Sequence, residues 1–199
     1  MCGRMNVSDD PTVKWLWNLF NVSFDITSNP DLCPSQSVAT LVWENNEIQQ
    51  RNATWGIKPA WSKKLIINAQ GETAHSKKTF QSAFESQRCL IPCDGWYEWR
   101  EEEGDARKQK YYFSHPDGIP FLMAGIRFVG SSTEDRAGEN TASQIVTLTT
   151  KPTQQCAEIH KRMPVLINPE NVDSWFGSNV KDVRELLFAD EMEIDISKC

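Results

Sequence analysis

The residue with the most unusual chemistry in this chain is the second. In Met1-Cys2-Gly3-Arg4 a small residue follows the initiator methionine, so the mature protein is expected to begin with Cys2, carrying a free α-amine and a thiol on adjacent carbons. The reference pKa of an α-amine is about 7.7 to 8.0 and that of a thiol about 8.5. Near neutral pH a usable fraction of such an amine is therefore uncharged and nucleophilic, which an ordinary lysine does not offer. An aldehyde meeting the pair condenses with the amine to an imine, and the thiol then closes a five-membered thiazolidine, a far more durable product. Taken alone, a cysteine after Met1 is better read as a small residue without a task; other residues must support the chemical reading.

Three further residues supply what such a reaction needs. Glu98 lies within Trp96-Tyr97-Glu98-Trp99-Arg100, where strand alternation puts it on the face of Trp96 and Arg100, opposite Tyr97 and Trp99. Desolvation by the rings raises a carboxyl toward neutrality, where it both takes and returns a proton; the competing reading pairs it with Arg100 or Arg88 at the sheet rim. His160, in Ile159-His160-Lys161-Arg162-Met163-Pro164, falls between a helical turn and a strand, and serves either as a proton shuttle or as a ring bonded to local backbone. Asn68 ends a short apolar strand, suited to holding a substrate oxygen or to capping that strand. Cys2, His160 and Asn68 also compose a thiol-protease-like set, although a terminal thiol is an atypical nucleophile position. His75 and His115 read as surface residues. The Cys89-x3-Cys93 spacing lies in an apolar extended segment with no second ligand pair, so no metal or cofactor is expected.

Elements to position these residues follow in order. Ser8-Asp9-Asp10-Pro11 reads as a capped helix start with proline in the first turn, and Val13, Leu16, Trp17 and Phe20 then form one buried face. Residues 29–36 read as an ordered loop. Val38–Trp43 and Ile48–Trp55 form a hairpin, and Leu65–Ile67 is a short strand leading to Asn68. Ser76 caps a helix containing Phe80, Ala83 and Phe84. Arg88–Cys93 reads as a strand with a continuous apolar run, turned by Asp94-Gly95 into the aromatic strand of Glu98. Residues 101–105 are a solvated turn, Lys110–Phe113 and Ile119–Phe128 pair across His115-Pro116-Asp117-Gly118, and residues 130–142 read as polar and mobile. Gln144–Thr150 is a strand, a helical turn leads to His160, Pro164–Ile167 is a strand, short helices cover 172–176 and 180–188, and 192–196 forms an edge strand. The chain is expected to be α+β: one compact domain over 1–199, dominated by twisted, barrel-like antiparallel sheet with short peripheral helices.

Composition bounds the function. A net charge of -6 and a pI near 5.2 exclude a generally basic nucleic-acid binder and confine any phosphate site to a local patch. Six scattered cysteines and no basic-then-apolar leader suggest free thiols in a reducing cytoplasm, and no apolar run reaches membrane-spanning length. Of the eight tryptophans most are expected in the core or at its rim, and the excess also suits a surface on which bases stack.

With these residues in hand the chain resembles the SRAP family, the SOS response-associated peptidase or abasic site processing proteins, over essentially its whole length. The resemblance rests on Met1-Cys2-Gly3-Arg4, Trp55-Gly56-Ile57-Lys58-Pro59-Ala60-Trp61, Asn68-Ala69-Gln70-Gly71-Glu72-Thr73, Pro92-Cys93-Asp94-Gly95-Trp96-Tyr97-Glu98-Trp99 and His160-Lys161-Arg162-Met163-Pro164. It implies that Cys2, exposed by removal of Met1, cross-links to the aldehyde of an abasic site in single-stranded DNA, with Asn68, Glu98 and His160 around it. It further implies a DNA groove involving Arg4, Lys58, Trp61, Gln70 and Arg162, lesion protection during the DNA damage response, and self-removal of Met1. The protein would act as a monomer on DNA in the cytoplasm, or in the nucleus of a eukaryote. Gln70 departs from the arginine expected to face a phosphate, so Arg4, Lys58, Lys63, Lys64 and Arg162 are expected to compensate. The chain also ends at Cys199, short of an Asn-containing tail found in relatives, whose contribution is expected to be absent or supplied differently. The alternatives are a cysteine-type autopeptidase or peptidase, and a non-covalent single-strand-binding module.

Overall fold

The computed structural model describes residues 2–104, 107–130, 143–177, 179–188 and 192–199. In chain order the elements are β1 (Met5–Val7), α1 (Thr12–Phe20), β2 (Asn29–Leu32), β3 (Ser37–Glu44), β4 (Glu47–Trp55), β5 (Asn68–Gln70), α2 (Gly71–Ala74), α3 (Gln81–Ser86), β6 (Arg88–Cys93), β7 (Gly95–Arg100), β8 (Gln109–Ser114), β9 (Phe121–Phe128), β10 (Gln144–Thr150), α4 (Gln154–Ala157), β11 (Met163–Pro164), α5 (Val172–Phe176), α6 (Val180–Glu185) and β12 (Asp195–Lys198).

Two sheets result. One has the order β12-β8-β7-β1-β2 and is antiparallel throughout. The other runs β11-β10-β4-β3-β6-β9, and β9 returns to pair with β10, so that β10, β4, β3, β6 and β9 close a ring. Within it β10 is parallel to β4 and to β5, the exceptions to an otherwise antiparallel pattern. The β3–β4 hairpin is turned by Asn45 and Asn46 at φ 55° and 63°, the positive values that a two-residue turn matched to strand twist requires.

Alternation sorts the apolar side chains onto two faces. Cys89, Ile91 and Cys93 of β6, Phe121 and Met123 of β9 and Ile145 of β10 point toward the first sheet and pack with Met5, Trp96 and Phe113. Leu90, Leu122, Ala124, Ile126, Val146 and Leu148 point the other way, against Leu16, Phe84, Trp175, Val183 and Leu187 of the helices. Strands buried on both faces read as continuous apolar runs, which β6 and β9 do. The functional face is the first one, because β7 and the segment preceding β1 lie along it. No helix of the described residues is long and apolar enough to cross a membrane.

The expected α+β fold of mostly antiparallel sheet with few short helices is what forms. Several local readings are corrected. Residues 29–32 are strand β2 rather than loop. Pro11 precedes α1 and no side chain caps it, because Asp9 is engaged by Ser28 Oγ at 2.8 Å and Thr12 Oγ1 turns to Asp94 at 3.3 Å. The buried face of α1 centres on Thr12 and Leu16, leaving Trp17 53% exposed. Ser76 bonds back to Thr73 O at 3.1 Å, and the helix starts only at Gln81. Ile66 makes a single bridge to Ile57, and the strand proper begins at Asn68. Of the strand read over 164–167, Met163–Pro164 pairs with β10 and Leu166 makes one bridge to Met123. The helix read over 180–188 stops at Glu185, and the last strand is shifted to Asp195–Lys198.

The largest difference concerns β8 and β9, which do not pair with each other. β8 joins β7 and β12, whereas β9 joins β6 and β10. β9 is apolar on both faces and belongs in the doubly covered sheet; β8 alternates Tyr111 and Phe113 inward with Lys110 and Tyr112 outward and suits a sheet wet on one side. The polar stretch read over 130–142, apart from its first residue, and the end of the turn read over 101–105 lie outside the described residues.

Candidate active site

The N-terminal segment is carried to Glu98 by strand pairing. Met5 and Asn6 register with Trp96 and Gly95, and the ladder continues outward through Tyr97 N to Arg4 O at 3.1 Å. A Cβ on Gly95 would stand 2.1 Å from Phe113 O, so β7 approaches β8 this closely only with glycine there. Cys2 is 1% exposed at the edge of the inter-sheet core.

Its neighbours come from three other elements. Asn68 opens β5 opposite Thr147 of β10. Its Nδ2 donates to the Cys2 carbonyl at 3.0 Å, and its Oδ1 accepts from Thr147 Oγ1. The strand start is held because Ile67 O accepts from both Thr147 N and Trp55 Nε1, at 3.1 Å each. Glu98 is 3% exposed on the inward face of β7, in register with Tyr111. Neither arginine considered for it is its partner: Arg100 goes to Glu102 and to Tyr111 Oη, and Arg88 donates to the carbonyls of Trp175, Phe84, Glu85 and Gly177. Instead Glu98 Oε1 lies 3.8 Å from His160 Nδ1. His160 follows α4, whose start is capped by Thr153 Oγ1 accepting from Cys156 N at 3.3 Å, and its own amide donates to Cys156 O at 3.0 Å.

The electrostatics follow from burial. Desolvation raises the Glu98 carboxyl above the usual carboxylate range, with the charge of His160 opposing. Burial, reinforced by Glu98, pushes the Cys2 thiol far up. The Cys93 thiol is raised likewise, first by burial and then by Cys2, which sets it among the same groups. The site therefore holds a protonated thiol beside a carboxyl that exchanges protons more readily than an exposed one.

The structure brings Cys2, Asn68, Glu98 and His160 together. The residues read as a DNA surface fare differently. Lys58, Trp61, Lys63 and Lys64 are exposed on the loop between β4 and β5, with Trp61 69% exposed. Gln70 is exposed at the end of β5. Arg4 is engaged by Asp31 at 3.1 Å and by Cys33 Sγ. The Arg162 guanidinium donates to Glu72 at 2.7 Å and to Thr149 O. Sequence reasoning missed Thr147, Glu72 and the placement of Cys93. Glu72 and Cys93 stood inside quoted motifs, whereas a threonine in a strand carries no signal of a partner in another strand. Among the described residues one set of three possible metal donors, His115, Asp117 and Glu193, has its ligand atoms within 4.8 Å of one another; none of them belongs to this group.

Replacing Gln70 by arginine is expected to tighten binding to single-stranded DNA and to steepen the log–log salt dependence by about 0.7, the value for one added phosphate contact. Fluorescence anisotropy across a salt series measures both, and an unchanged slope would place the side chain away from the strand.

Comparison with known proteins bears on the family and the fold. The chain is 29% identical over 187 residues to the abasic site processing protein YedK of Escherichia coli, covering 90% of this chain and 81% of that protein. It is 28% identical over 190 residues to the abasic site processing protein YoqW of Bacillus subtilis, covering 92% and 83%. A crystal structure of a protein from Bordetella bronchiseptica superposes with a TM-score of 0.81 at 23% identity, covering 100% of this chain and 99% of that one, and so shares the fold. The family model described as SOS response associated peptidase (SRAP) matches residues 1–197. The chain belongs to the SRAP family.

Proposed function

We propose that this protein processes abasic sites in single-stranded DNA by forming a covalent cross-link through Cys2, shielding the lesion from strand cleavage. The observation that carries the reading is the hydrogen bond from Asn68 to the Cys2 carbonyl at 3.0 Å, which holds residue 2 beside the Glu98–His160 pair. The names of the curated relatives, abasic site processing proteins, support the substrate.

The chemistry balances without a cofactor. Hydrolysis of the Met1–Cys2 amide consumes one water and frees the amine. The amine adds to the C1′ aldehyde of the ring-opened sugar, and Glu98 and His160 move the protons that let water depart from the carbinolamine, leaving an imine. The raised Cys2 thiol is protonated at neutral pH, so its attack needs a base. Ionised Glu98 accepts the sulfur proton as the S–C bond forms and returns it to nitrogen. Cross-linking itself releases one water, equal to the one consumed in freeing the amine, and nothing is oxidised. Trp61, exposed beside Lys58, Lys63 and Lys64, offers a face for a base to stack on and cations for the adjoining backbone. The protein acts as a monomer, since one chain supplies every group.

The test is a denaturing gel with abasic and intact oligonucleotides of one sequence. A shifted band with the abasic strand alone supports the reading. Reversible binding to both strands with no shift, or peptide cleavage with no shift, would assign the protein to the binding-module or peptidase class. Intact mass spectrometry of the active protein is expected to show loss of Met1, because an acylated Cys2 nitrogen is an amide and cannot attack an aldehyde. Full cross-linking by protein retaining Met1 would remove the amine from the mechanism.

A further inference from the structure

Arg162 is built into the wall beside His160. Its Nη1 and Nη2 donate to Oε1 and Oε2 of Glu72, both at 2.7 Å, and Nη2 also donates to Thr149 O at 2.5 Å. This is a two-pronged carboxylate clamp, whose planarity fixes orientation as well as distance. The side chains are 15% and 26% exposed, so solvent competes little for either. The hydrogen bond from Arg162 is the first cause that holds the Glu72 carboxyl below its usual range, which keeps the clamp charged throughout the neutral range.

The main chain of the same arginine holds the histidine. His160 Nδ1 is 2.9 Å from Arg162 O and 3.1 Å from Arg162 N. In one neutral tautomer Nδ1–H donates to the carbonyl and the lone pair resides on Nε2; in the other a bare Nδ1 accepts from the amide. Small displacements of residue 162 thus shift both the plane of the ring and the nitrogen that carries its proton. Glu72 lies four positions after Asn68, at the β5–α2 corner. One short unit therefore sets the amide that holds Cys2 and the carboxylate that anchors the residue holding His160.

We propose that Glu72 is a positioning residue, which through Arg162 fixes the orientation and tautomer of His160 for proton transfer at Cys2. It rests on the reading of His160 as a proton carrier in cross-linking. The charged groups on this chain of contacts are Glu98, from β7, facing the ring, and Arg162 and Lys151 facing Glu72.

The test uses two readouts. The chain has three histidines, so the ring nitrogens of His160 can be assigned by nitrogen-15 NMR, with His160→Ala identifying the signal. Glu72→Ala is expected to change the His160 tautomer ratio, and Glu72→Gln, which retains an acceptor for Arg162, to restore much of the wild-type signal. In single-turnover cross-linking at saturating abasic oligonucleotide, Glu72→Ala is expected to be slower by up to about 100-fold, the scale of loss when a reacting group is misplaced by about 1 Å. Affinity for intact DNA should stay within about twofold of wild type, since no positioning role in chemistry predicts its loss. In a His160→Ala background the rate effect of Glu72→Ala should vanish, because the two act as one unit. A folded Glu72→Ala with unchanged His160 signals, or one that slows the His160→Ala protein by as much as it slows wild type, overturns the proposal. Should Glu72→Ala fail to fold, Glu72→Asp, which shortens the clamp, takes its place in the same comparison. Unaltered wild-type protein that forms no adduct counts against the cross-linking function instead, while the NMR comparison still decides the positioning.

Discussion

Cys2→Ser is expected to abolish the adduct that survives without reductant while preserving one that borohydride traps. Serine keeps the α-amine, so the imine still forms, but its hydroxyl closes at best to an oxazolidine, which reopens, whereas sulfur closes a thiazolidine that removes the imine. The substitution is mild for the fold. The Cys2 thiol donates a long hydrogen bond to Arg4 O at 3.9 Å, and the residue is held by its carbonyl through Asn68, which serine retains. Loss of the durable band therefore reports chemistry rather than unfolding, and a melting curve checks the point. The measurement is a denaturing gel of abasic oligonucleotide after incubation with and without borohydride. An equally durable unreduced adduct from Cys2→Ser would show that the amine acts alone. No adduct even with borohydride would show that the amine is not the first nucleophile, and would favour attack by the thiol on an amide, as in the peptidase alternative.

Glu98→Gln is expected to slow cross-linking by about 10²- to 10⁴-fold, the usual contribution of a general acid–base group, with DNA affinity nearly unchanged. The same variant makes an opposite prediction for stability. The folded pKa of Glu98 is raised, chiefly by burial, so the native state binds its proton more tightly than the unfolded chain. Its stabilising contribution is complete below the unfolded value, about 4.3, and is lost as pH rises through the folded value. At pH 7 to 8 the buried carboxylate therefore costs stability, and Glu98→Gln should melt higher than wild type. The difference should shrink as pH falls below about 4.3. A faster-melting Glu98→Gln with wild-type cross-linking rates would mark the residue as a structural ion-pair partner. Reduced rate with raised stability is the pattern of a group kept at an energetic cost for function.

Much of the site was legible without coordinates because its signals are local. A cysteine at position 2 has an adjacent amine by covalent structure alone. A glutamate between Tyr97 and Trp99 must share a face with Trp96, since side chains alternate along a strand, and β7 places Trp96 and Glu98 inward as that rule requires. Five ordered blocks of residues indicated the family, and the β3–β4 hairpin followed from two apolar runs flanking a polar turn. The apolar run of β6 likewise announced a strand buried on both faces.

What the sequence by itself determined was which side chains are chemically competent and which segments are strands. Only the tertiary structure decided the partners, because pairing between distant strands depends on which edges remain open, and nothing local encodes that. Lys110–Phe113 and Phe121–Phe128 read as one hairpin, yet they stand in different sheets. The partner of Glu98 was undecided among nearby arginines until Arg100 and Arg88 were seen engaged elsewhere and His160 stood 3.8 Å away. Arg162 shows the same limit most sharply. No local signal pairs it with Glu72, 90 residues earlier in the chain, because a partly buried cation goes to whichever carboxylate the fold presents to it.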